Sequence, residues 1–230
     1  MVAHYLDRKD SRPLIQEQIE VMIKLIKHLC RPVHRFMDLG CGDGILAAVI
    51  LDNYRDATAI LGDHSAPMLE AARSKLQRLP GSIHFCTIDY SRPEWTKVVA
   101  EYSPLDLVVS GFSIHHQPDT RKRQIYAEVF DMLASGGMFI NLEHVASPTK
   151  RLAELWDHIR VDSLYDLAVQ RGLNKSRALI EKEYYEQPER EANLFSSVEI
   201  QCEWLRQIGY TDVDCFFKYF ELAIFGGRRP

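Results

Sequence analysis

The stretch Phe36-Met-Asp-Leu-Gly-Cys-Gly-Asp-Gly44 determines the fold class of this 230-residue chain. An apolar strand runs into Asp38, and glycines follow at positions 40, 42 and 44. Glycines let a backbone turn sharply and come close to a ligand, because they carry no Cβ. The helix that follows would point its unpaired N–H groups at that ligand. The stretch therefore predicts a strand, a ligand-binding turn and a helix, which together are the repeating unit of an α/β sheet.

The spacing of the glycines indicates which ligand the turn holds. The dinucleotide fingerprint is G-x-G-x-x-G, whereas Gly40, Gly42 and Gly44 follow the pattern G-x-G-x-G. Asp43 stands where a pyrophosphate would come close, and a carboxylate beside two phosphates is unfavourable. The same carboxylate is acceptable beside the sulfonium and ammonium cations of S-adenosylmethionine.

Strands and helices alternate around this turn. Apolar residues at helical spacing predict a first helix over residues 14–29, with Ser11 and Pro13 at its start. Predicted strands cover residues 35–39, 58–62, 82–88, 105–110 and 138–143, and predicted helices cover residues 43–53, 65–79, 93–101 and 119–134. Such alternation favours a parallel sheet with helices on both faces.

The alternation stops at residues 149–195, which are predicted to be almost wholly helical. An insertion at this point of the sheet is expected to cover the carboxyl ends of the strands as a lid. A helix over residues 198–208 follows, and the runs 213–217 and 219–225 predict an antiparallel hairpin with Lys218 near its turn or at a bulge. We expect one domain over residues 1–230, which includes an N-terminal helical segment over residues 1–32.

Two acidic residues end the second and third predicted strands. Asp63 follows the glycines by roughly twenty residues, the spacing at which an acid binds the ribose hydroxyls of a nucleotide. Asp89 could accept a hydrogen bond from the adenine amino group, and Tyr90 could pack on the ring. The simpler interpretations are a helix cap for Asp63 and a solvated loop for Asp89 and Tyr90.

Together these residues resemble the class I S-adenosylmethionine-dependent methyltransferases, over residues 33–144 and more loosely over residues 198–226. The resemblance implies a Rossmann-like sheet of seven strands, mostly parallel, with an antiparallel last strand. It also implies that the glycine turn holds the methionyl part of the cofactor, that Asp63 holds the ribose and that Asp89 recognises adenine. The predicted cofactor residues are Asp38, Gly40, Cys41, Gly42, Asp63, His64, Met68, Asp89, Tyr90, Ser110, Gly111 and Phe112.

The segment Ser110-Gly-Phe-Ser-Ile-His-His116 follows the fourth strand, at the edge where ligands bind in open α/β sheets. His115 or His116 could act as a general base near neutral pH. The alternative is that one of the two orients the loop through hydrogen bonds. Methyl transfer needs little chemical help, because alignment and exclusion of water can supply much of the rate.

The acceptor is expected to lie under the lid. Tyr184 and Tyr185 are further candidates for the catalytic set, and Arg190, Asn141 and Glu143 for substrate contacts. Most aromatic residues of the lid have the simpler role of packing it onto the sheet. The lid carries eight lysines and arginines against nine acidic residues. This balance favours a small-molecule acceptor over a polyanion.

One branch of the resemblance contains the carboxy-S-adenosylmethionine synthase of tRNA wobble-uridine modification, which does not methylate. The arginine that holds the carboxylate in that enzyme corresponds to Trp204 here, although Arg206 lies nearby. This departure favours ordinary S-adenosylmethionine and makes Trp204 a candidate substrate residue. The open alternatives are an enzyme that converts, cyclises or cleaves S-adenosylmethionine itself, a tRNA methyltransferase and a non-catalytic binding protein.

Composition excludes several other classes of protein. The net charge of −4 and the pI near 6.1 do not favour a nucleic-acid partner. Five cysteines without a C-x-x-C pair predict a reduced, cytoplasmic protein, and we predict no metal site. The polar first ten residues and the absence of an apolar run of about 20 residues predict no membrane contact. Residues 5–12 are expected to close over the cofactor or to reach a partner subunit in a homodimer.

Overall fold

The computed structural model describes residues 14–30, 32–79, 81–187, 190 and 192–230. Seven strands form its centre: β1 (Arg35–Leu39), β2 (Thr58–Asp63), β3 (Ser82–Thr87), β4 (Leu105–Gly111), β5 (Leu133–His144), β6 (Thr211–Tyr219) and β7 (Leu222–Arg228). The α-helices are α1 (Ile15–Leu29), α2 (Ile45–Asn53), α3 (Ala66–Leu76), α4 (Trp95–Val99), α5 (Asp119–Met132), α6 (Lys150–Gln170), α7 (Arg177–Tyr185) and α8 (Val198–Ile208). Short 3₁₀ turns cover Ala100–Tyr102 and Ile114–His116.

The strand order is β3-β2-β1-β4-β5-β7-β6. Strands β1 to β5 are parallel to their neighbours, whereas β7 runs antiparallel to both β5 and β6. The strand order reverses between β1 and β4, and a crevice opens at such a switch point beyond the carboxyl ends of the strands. The sheet therefore brings the turn after β1 and the turn after β4 together, and it confirms the predicted Rossmann-like fold.

Two apolar cores cover the two faces of the sheet. Neighbouring residues of a strand alternate between them, so that Phe36 and Val109 belong to one core and Met37 and Val108 to the other. Strands that are buried on both faces read as continuous apolar runs, as these do. Helices α1, α2 and α3 cover the first face, and α5 and α8 cover the second.

Strand β5 is longer than predicted, because Gly136 and Gly137 do not break the chain. Gly136 takes a positive φ of 78° and donates its N–H to the carbonyl of Arg229 at 2.8 Å. A Cβ on Gly137 would lie 2.9 Å from the carbonyl oxygen of Ala134, so only glycine fits there. The predicted helix over residues 119–134 consequently ends at Met132.

The predicted position of the terminal turn is wrong. Tyr219 pairs with Leu222, which leaves Phe220 and Glu221 as the turn residues, and Phe220 takes a positive φ of 50°. Lys218 lies within β6 and donates its ammonium to the carbonyl of Phe220 at 2.9 Å.

The lid is less helical than predicted. Helices α6 and α7 account for its helical part, and the described residues between Glu186 and the end of the lid at Phe195 form no α-helix. The predicted helix start at Ser11 and Pro13, and residues 5–12 with their expected role, lie outside the described part of the chain. Among the described residues, no helix is long and apolar enough to cross a bilayer.

Candidate active site

The glycine turn is fastened to the neighbouring strand through its backbone. The N–H groups of Gly40 and Cys41 both donate to the carbonyl of Gly62, at 2.8 and 3.0 Å. A Cβ on Gly40 would lie 1.9 Å from Ser113 Oγ, whereas a Cβ on Gly42 would meet nothing within 4 Å. Both glycines have positive φ, at 70° and 53°. Gly40 therefore permits close packing against the turn after β4, and Gly42 leaves open space where a ligand can approach.

Three buried carboxylates surround the glycine turn: those of Asp38, Asp43 and Asp63. Asp38 accepts a hydrogen bond from the N–H of Ala47 at 3.2 Å, and Asp43 forms an ion pair with Lys75. Burial, with a smaller contribution from the other two carboxylates, raises the pKa of Asp38 to about 7. The negative potential opposes a pyrophosphate and suits the two cationic groups of S-adenosylmethionine.

Asp63 connects the end of β2 to the glycine turn. One carboxylate oxygen accepts from the N–H of Gly42 at 2.9 Å, and the other accepts from the N–H of Ser65 at 2.8 Å. A carboxylate oxygen has two lone pairs, so both oxygens can also accept from ribose hydroxyls. His64 is exposed beside Asp63, and Met68 is half-buried in the first turn of α3. These positions are compatible with the predicted ribose site.

Asp89 and Tyr90 follow β3 and have different surroundings. Asp89 is exposed, and its hydrogen bond with Ser91, at 3.0 Å to the N–H, lowers the pKa of the carboxyl. The Tyr90 hydroxyl is buried and bonds to Ser113 at 2.5 Å to Oγ. The Arg121 guanidinium donates to the carbonyl of Tyr90 at 2.7 Å. Asp89 is thus open to a ligand, while Tyr90 ties the turn after β3 to the turn after β4.

The turn after β4 lies at the switch point of the sheet, where hydrogen bonds fix its position. Ser110 donates its hydroxyl to the carbonyl of Leu39 at 2.8 Å, and Phe112 donates its N–H to the carbonyl of Leu142 at 2.7 Å. Gly111 ends β4 between them, and Phe112 takes a positive φ of 52°. These bonds hold the segment between β1 and β5, where a ligand of the glycine turn would meet it.

A buried histidine–glutamate pair follows this turn. His115 Nδ1 lies 2.6 Å from Glu143 Oε1, and the backbone N–H of His115 donates to Glu143 Oε2 at 3.0 Å. The N–H of His144 donates to the same glutamate at 2.9 Å. An ionised carboxylate only accepts hydrogen bonds, so His115 carries its proton on Nδ1 and leaves Nε2 as an acceptor. Glu143, which we predicted as a substrate contact, is therefore engaged with His115, in the arrangement of a base oriented by an acid.

His116 bonds to the lid, and Asn141 is buried in the sheet. His116 Nδ1 lies 3.3 Å from the carbonyl of Ala192 at the end of the lid, and desolvation of its ring, followed by the charge of His115, lowers its pKa. Asn141 is fully buried in β5 beside the Tyr126 hydroxyl. His116 thus bonds to the lid, which is the orienting role that we left open for one of the two histidines.

Trp204 lies in the second apolar core, between α8 and the sheet. It is 9% exposed and packs there with Leu205 and Tyr210. The structure therefore gives Trp204 a packing role and does not bring it to the histidine–glutamate pair.

Aromatic rings line the region around the pair. His144 lies at the centre, with ring centroids 5.3 Å from Phe112, 5.6 Å from His115, 5.7 Å from Phe195 and 6.4 Å from Trp156. Phe220 extends the series, because it stacks on Trp156 at 6.1 Å. We call this set the aromatic wall: Phe112, His144, Trp156, Phe195 and Phe220.

The polar residues of the lid pair with one another. The Arg190 guanidinium donates to both oxygens of Asp157 at about 3.1 Å, and the Tyr184 hydroxyl donates to Asp157 at 2.7 Å. Arg190 also lies over the rings of Tyr184 and Tyr185, at 4.4 and 5.3 Å. Tyr184 is buried, and burial raises its pKa, whereas Tyr185 is 48% exposed. Asp157 therefore offsets the charge of Arg190, the cation that we predicted as a substrate contact.

A buried lysine holds the end of the lid, residues 192–197, which we call the return segment. Lys122 is 1% exposed and donates to the carbonyl of Leu194 and to Ser196 Oγ, and it pairs with Asp119 at 3.1 Å. Leu194 in turn donates its N–H to the carbonyl of His115 at 3.0 Å. The return segment is thus bonded directly to the turn that carries His115.

Several residues of the site escaped the sequence analysis. Ser113 and His144 stand next to predicted residues, so proximity along the chain could have identified them. Lys122, Asp157 and Glu221 carry no local signal, because their partners lie far away along the chain. Among the described residues, no cluster of three or more potential ligands is suited to a metal ion.

Comparison with known proteins agrees with the resemblance to S-adenosylmethionine-dependent methyltransferases. A family model described as a methyltransferase domain matches residues 36–137. The carboxy-S-adenosyl-L-methionine synthase of Nautilia profundicola is 19% identical over 94% of this chain and 86% of that protein. The trans-aconitate 2-methyltransferase of Methylobacterium radiotolerans is 35% identical over 50% of this chain and 41% of that protein.

The fold also matches solved structures. An O-methyltransferase family protein from Burkholderia thailandensis superposes with a TM-score of 0.64 and 14% identity over 94% of this chain. This chain spans 56% of the length of that protein. The strand order, the glycine turn with its acidic surroundings and the matched domain agree with one another. Residues 36–137 thus match a methyltransferase domain, and the fold and the glycine turn agree with the class I S-adenosylmethionine-dependent methyltransferases, whose cofactor is S-adenosylmethionine.

Proposed function

We propose that this protein transfers the methyl group of S-adenosylmethionine to a hydroxyl group of a small-molecule acceptor, with His115 as the general base. The observation that carries this proposal is the buried His115–Glu143 pair at the carboxyl edge of the sheet. The pair follows the turn whose Ser113 packs against Gly40, so the base and the glycine turn share one crevice. The lid and the aromatic wall lie beside the His115–Glu143 pair, and they favour an acceptor of small size.

The chemistry of the step follows from these positions. When bound, S-adenosylmethionine supplies an electrophilic methyl group on a sulfonium. In that complex the acceptor oxygen would bond to the methyl carbon as the carbon–sulfur bond breaks, and the electron pair of the broken bond would stay on sulfur. His115 Nε2 takes the hydroxyl proton and later releases it to water, and Glu143 stabilises the transient imidazolium. The lid excludes water from this site, and the aligned reactants supply much of the remaining rate.

An enzyme that converts S-adenosylmethionine itself is the second candidate function. The observation that favours it is the match to a carboxy-S-adenosyl-L-methionine synthase over 94% of this chain. Trp204, at the position predicted for the carboxylate-holding arginine of that branch, lies in the second apolar core. Arg206, which lies nearby, donates to the carbonyl of Val213, and Arg190, the predicted substrate contact, is paired with Asp157. Both observations support the methyltransferase.

The test uses the full chain with S-adenosylmethionine labelled with ¹³C in its methyl group. A panel of phenols, alcohols, amines and carboxylic acids is incubated with the enzyme, and products are identified by mass spectrometry. We expect label in the O-methyl group of a hydroxylated acceptor together with S-adenosylhomocysteine. Loss of cofactor into a carboxylated, cyclised or cleaved derivative, with no labelled acceptor, would overturn the proposal.

A pair of variants connects the activity to the base. His115→Ala is expected to lower kcat by about 10²–10⁴-fold, the range of general-base catalysis, while affinity for the cofactor is retained. His28→Ala is the matched control, because His28 is exposed in the last turn of α1, which leads to the opposite edge of the sheet. Equal activity of the two variants would exclude His115 as the base.

A further inference from the structure

We infer that the acceptor is a neutral hydroxylated aromatic compound whose second hydrogen-bond donor is held by Glu221, and that carboxylate acceptors are rejected. The inference rests on the proposed function, since it names the substrate class of the same site. It is carried by three observations: the aromatic wall, the position of Glu221 and the charges around both.

The aromatic wall has three partly exposed rings, His144, Phe195 and Phe220, which a flat apolar acceptor could contact, while Phe112 and Trp156 support them from the first apolar core. It begins at Phe112 in the turn after β4, passes His144 beside the base and reaches Trp156 on α6. Phe220 lies nearly parallel to Trp156, with 21° between the ring planes. Aromatic rings stabilise one another in stacked and edge-to-face arrangements, which suits an aromatic guest. The wall thus extends from the base to the β6–β7 turn.

Glu221 lies in that turn, directly after Phe220. It is 7% exposed, and Ser147 donates its hydroxyl to Oε1 at 2.7 Å. Its backbone carbonyl accepts from the N–H of Val145 at 2.8 Å, which fixes the turn against the end of β5. Within the described part of the chain, Oε2 accepts no hydrogen bond. A carboxylate that is mostly removed from water is unfavourable unless donors satisfy it, so Oε2 is suited to a donor on the acceptor.

Acidic and basic side chains both lie around the wall, and Glu221, which follows Phe220, is the carboxylate at its end. Glu143, Asp157 and Glu221 are acidic, and Arg190, the cation that interacts with Glu221, is paired with Asp157. Two further cations lie nearby. The Lys218 ammonium bonds to the carbonyl of Phe220, and Arg160 lies 5.9 Å from the Trp156 ring and has interactions of its own.

Selectivity against a competing ligand requires a repulsive element as well as an attractive one. Glu221 supplies both, because its carboxylate accepts from a neutral donor and repels another carboxylate. By its name, the trans-aconitate 2-methyltransferase acts on a polycarboxylate.

The test compares two ligands that share one phenol ring. The neutral ligand is 4-hydroxyphenethyl alcohol, and its anionic counterpart is 4-hydroxyphenylacetate. Affinity for the protein saturated with S-adenosylhomocysteine is measured by calorimetry for the wild type, Glu221→Gln and Glu199→Gln. Glu199 is exposed on α8 and serves as the matched control. Thermal melting of each variant verifies that it is folded.

We expect the wild type to bind the alcohol at least about tenfold more tightly than the acid, which corresponds to about 1.4 kcal/mol. Glu221→Gln should reduce this ratio to near one, mainly because the acid gains affinity, and Glu199→Gln should keep it. A wild type that prefers the acid, binds neither ligand or has the same ratio as Glu221→Gln would overturn the inference. Methyl transfer is assayed separately, so binding of the alcohol without transfer would count against the proposed function alone.

Discussion

The glycine turn and the lid are stabilised in different ways. The turn from Gly40 to Gly44 is held by backbone hydrogen bonds, and its shape depends on positions where a Cβ is excluded or meets open space. The lid is held by charged side chains, chiefly buried Lys122 and the Arg190–Asp157 pair. Changes in the turn should therefore affect the cofactor alone, and changes in the lid should affect the acceptor. The histidine–glutamate pair lies where the two regions meet.

The largest effect is expected at this junction. Three N–H groups donate to Glu143, whereas a glutamine at that position would direct an NH₂ group at one of them. Glu143→Gln should therefore lower kcat by roughly 10²-fold or more, since His115 loses its orientation and its preferred tautomer. The pH–rate profile should change as well, which a simple loss of stability would not cause. Glu199→Gln is the control, and equal kcat in both variants would contradict the orienting role.

A matched pair of glycines isolates the cofactor-binding turn. Gly42 and Gly172 both have positive φ and open space at the Cβ position, but only Gly42 lies in the turn after β1. Alanine at either position should cost about 1–2 kcal/mol of stability through backbone strain. Gly42→Ala should in addition raise the Kd for S-adenosylmethionine by about 30-fold or more, since its methyl group would enter the space of the ligand.

Calorimetry measures the Kd for S-adenosylmethionine, and thermal melting measures the stability, of Gly42→Ala and Gly172→Ala. Similar melting temperatures with a large difference in affinity would support the assignment. Similar affinities would show that the cofactor lies elsewhere.

Lys122 tests the lid independently of the turn. Lys122→Met keeps most of the apolar stem but leaves Leu194 and Ser196 without their buried donor. Unfolding free energy should fall by about 1–3 kcal/mol, and the KM for the acceptor should rise while the Kd for the cofactor stays constant. Lys182→Met is the control, because its ion pair with Glu186 is exposed and worth about 0–0.5 kcal/mol. A change in cofactor affinity as large as the change in KM would contradict the separation of the two regions.

The smallest expected effect is a pH dependence of cofactor affinity. The pKa of Asp38 is about 7 in the free protein, so the carboxyl is mostly protonated at pH 6 and mostly ionised at pH 8. A cationic ligand favours the ionised form, so binding releases a proton, and affinity should rise with pH by at most about tenfold per unit below the pKa. Asp38→Asn should flatten this profile, while exposed Asp52→Asn should keep it. A wild-type profile that falls with rising pH would contradict the role of the carboxylate cluster.

The fold was predictable where its signals are local. The apolar run before Gly40 and the spacing of the glycines identify a strand and its turn, and the strand order confirms the class. The two errors in the strands have different causes, a distant pairing in β5 and a local turn in the hairpin. Gly136 continues β5 because its partner is Arg229, and the hairpin turns at Phe220 because Tyr219 pairs with Leu222.

The site residues also divide into those that local sequence signals predict and those that depend on contacts between distant parts of the chain. Cofactor residues stand at strand ends, and the fold brings these ends together, so their positions follow from the strand prediction. The residues of the acceptor region depend on how the lid returns to the sheet. Lys122 and Leu194 are 72 residues apart, and no local pattern predicts their contact. Glu143 was predicted as a substrate contact, and the structure pairs it with His115.

The most direct test of the account is the mass of the small molecule released from freshly purified protein. We predict S-adenosylmethionine or S-adenosylhomocysteine, the donor and the product that a methyltransferase retains. A carboxylated derivative of S-adenosylmethionine would contradict methyl transfer, and a nicotinamide nucleotide would contradict the assignment of the glycine turn.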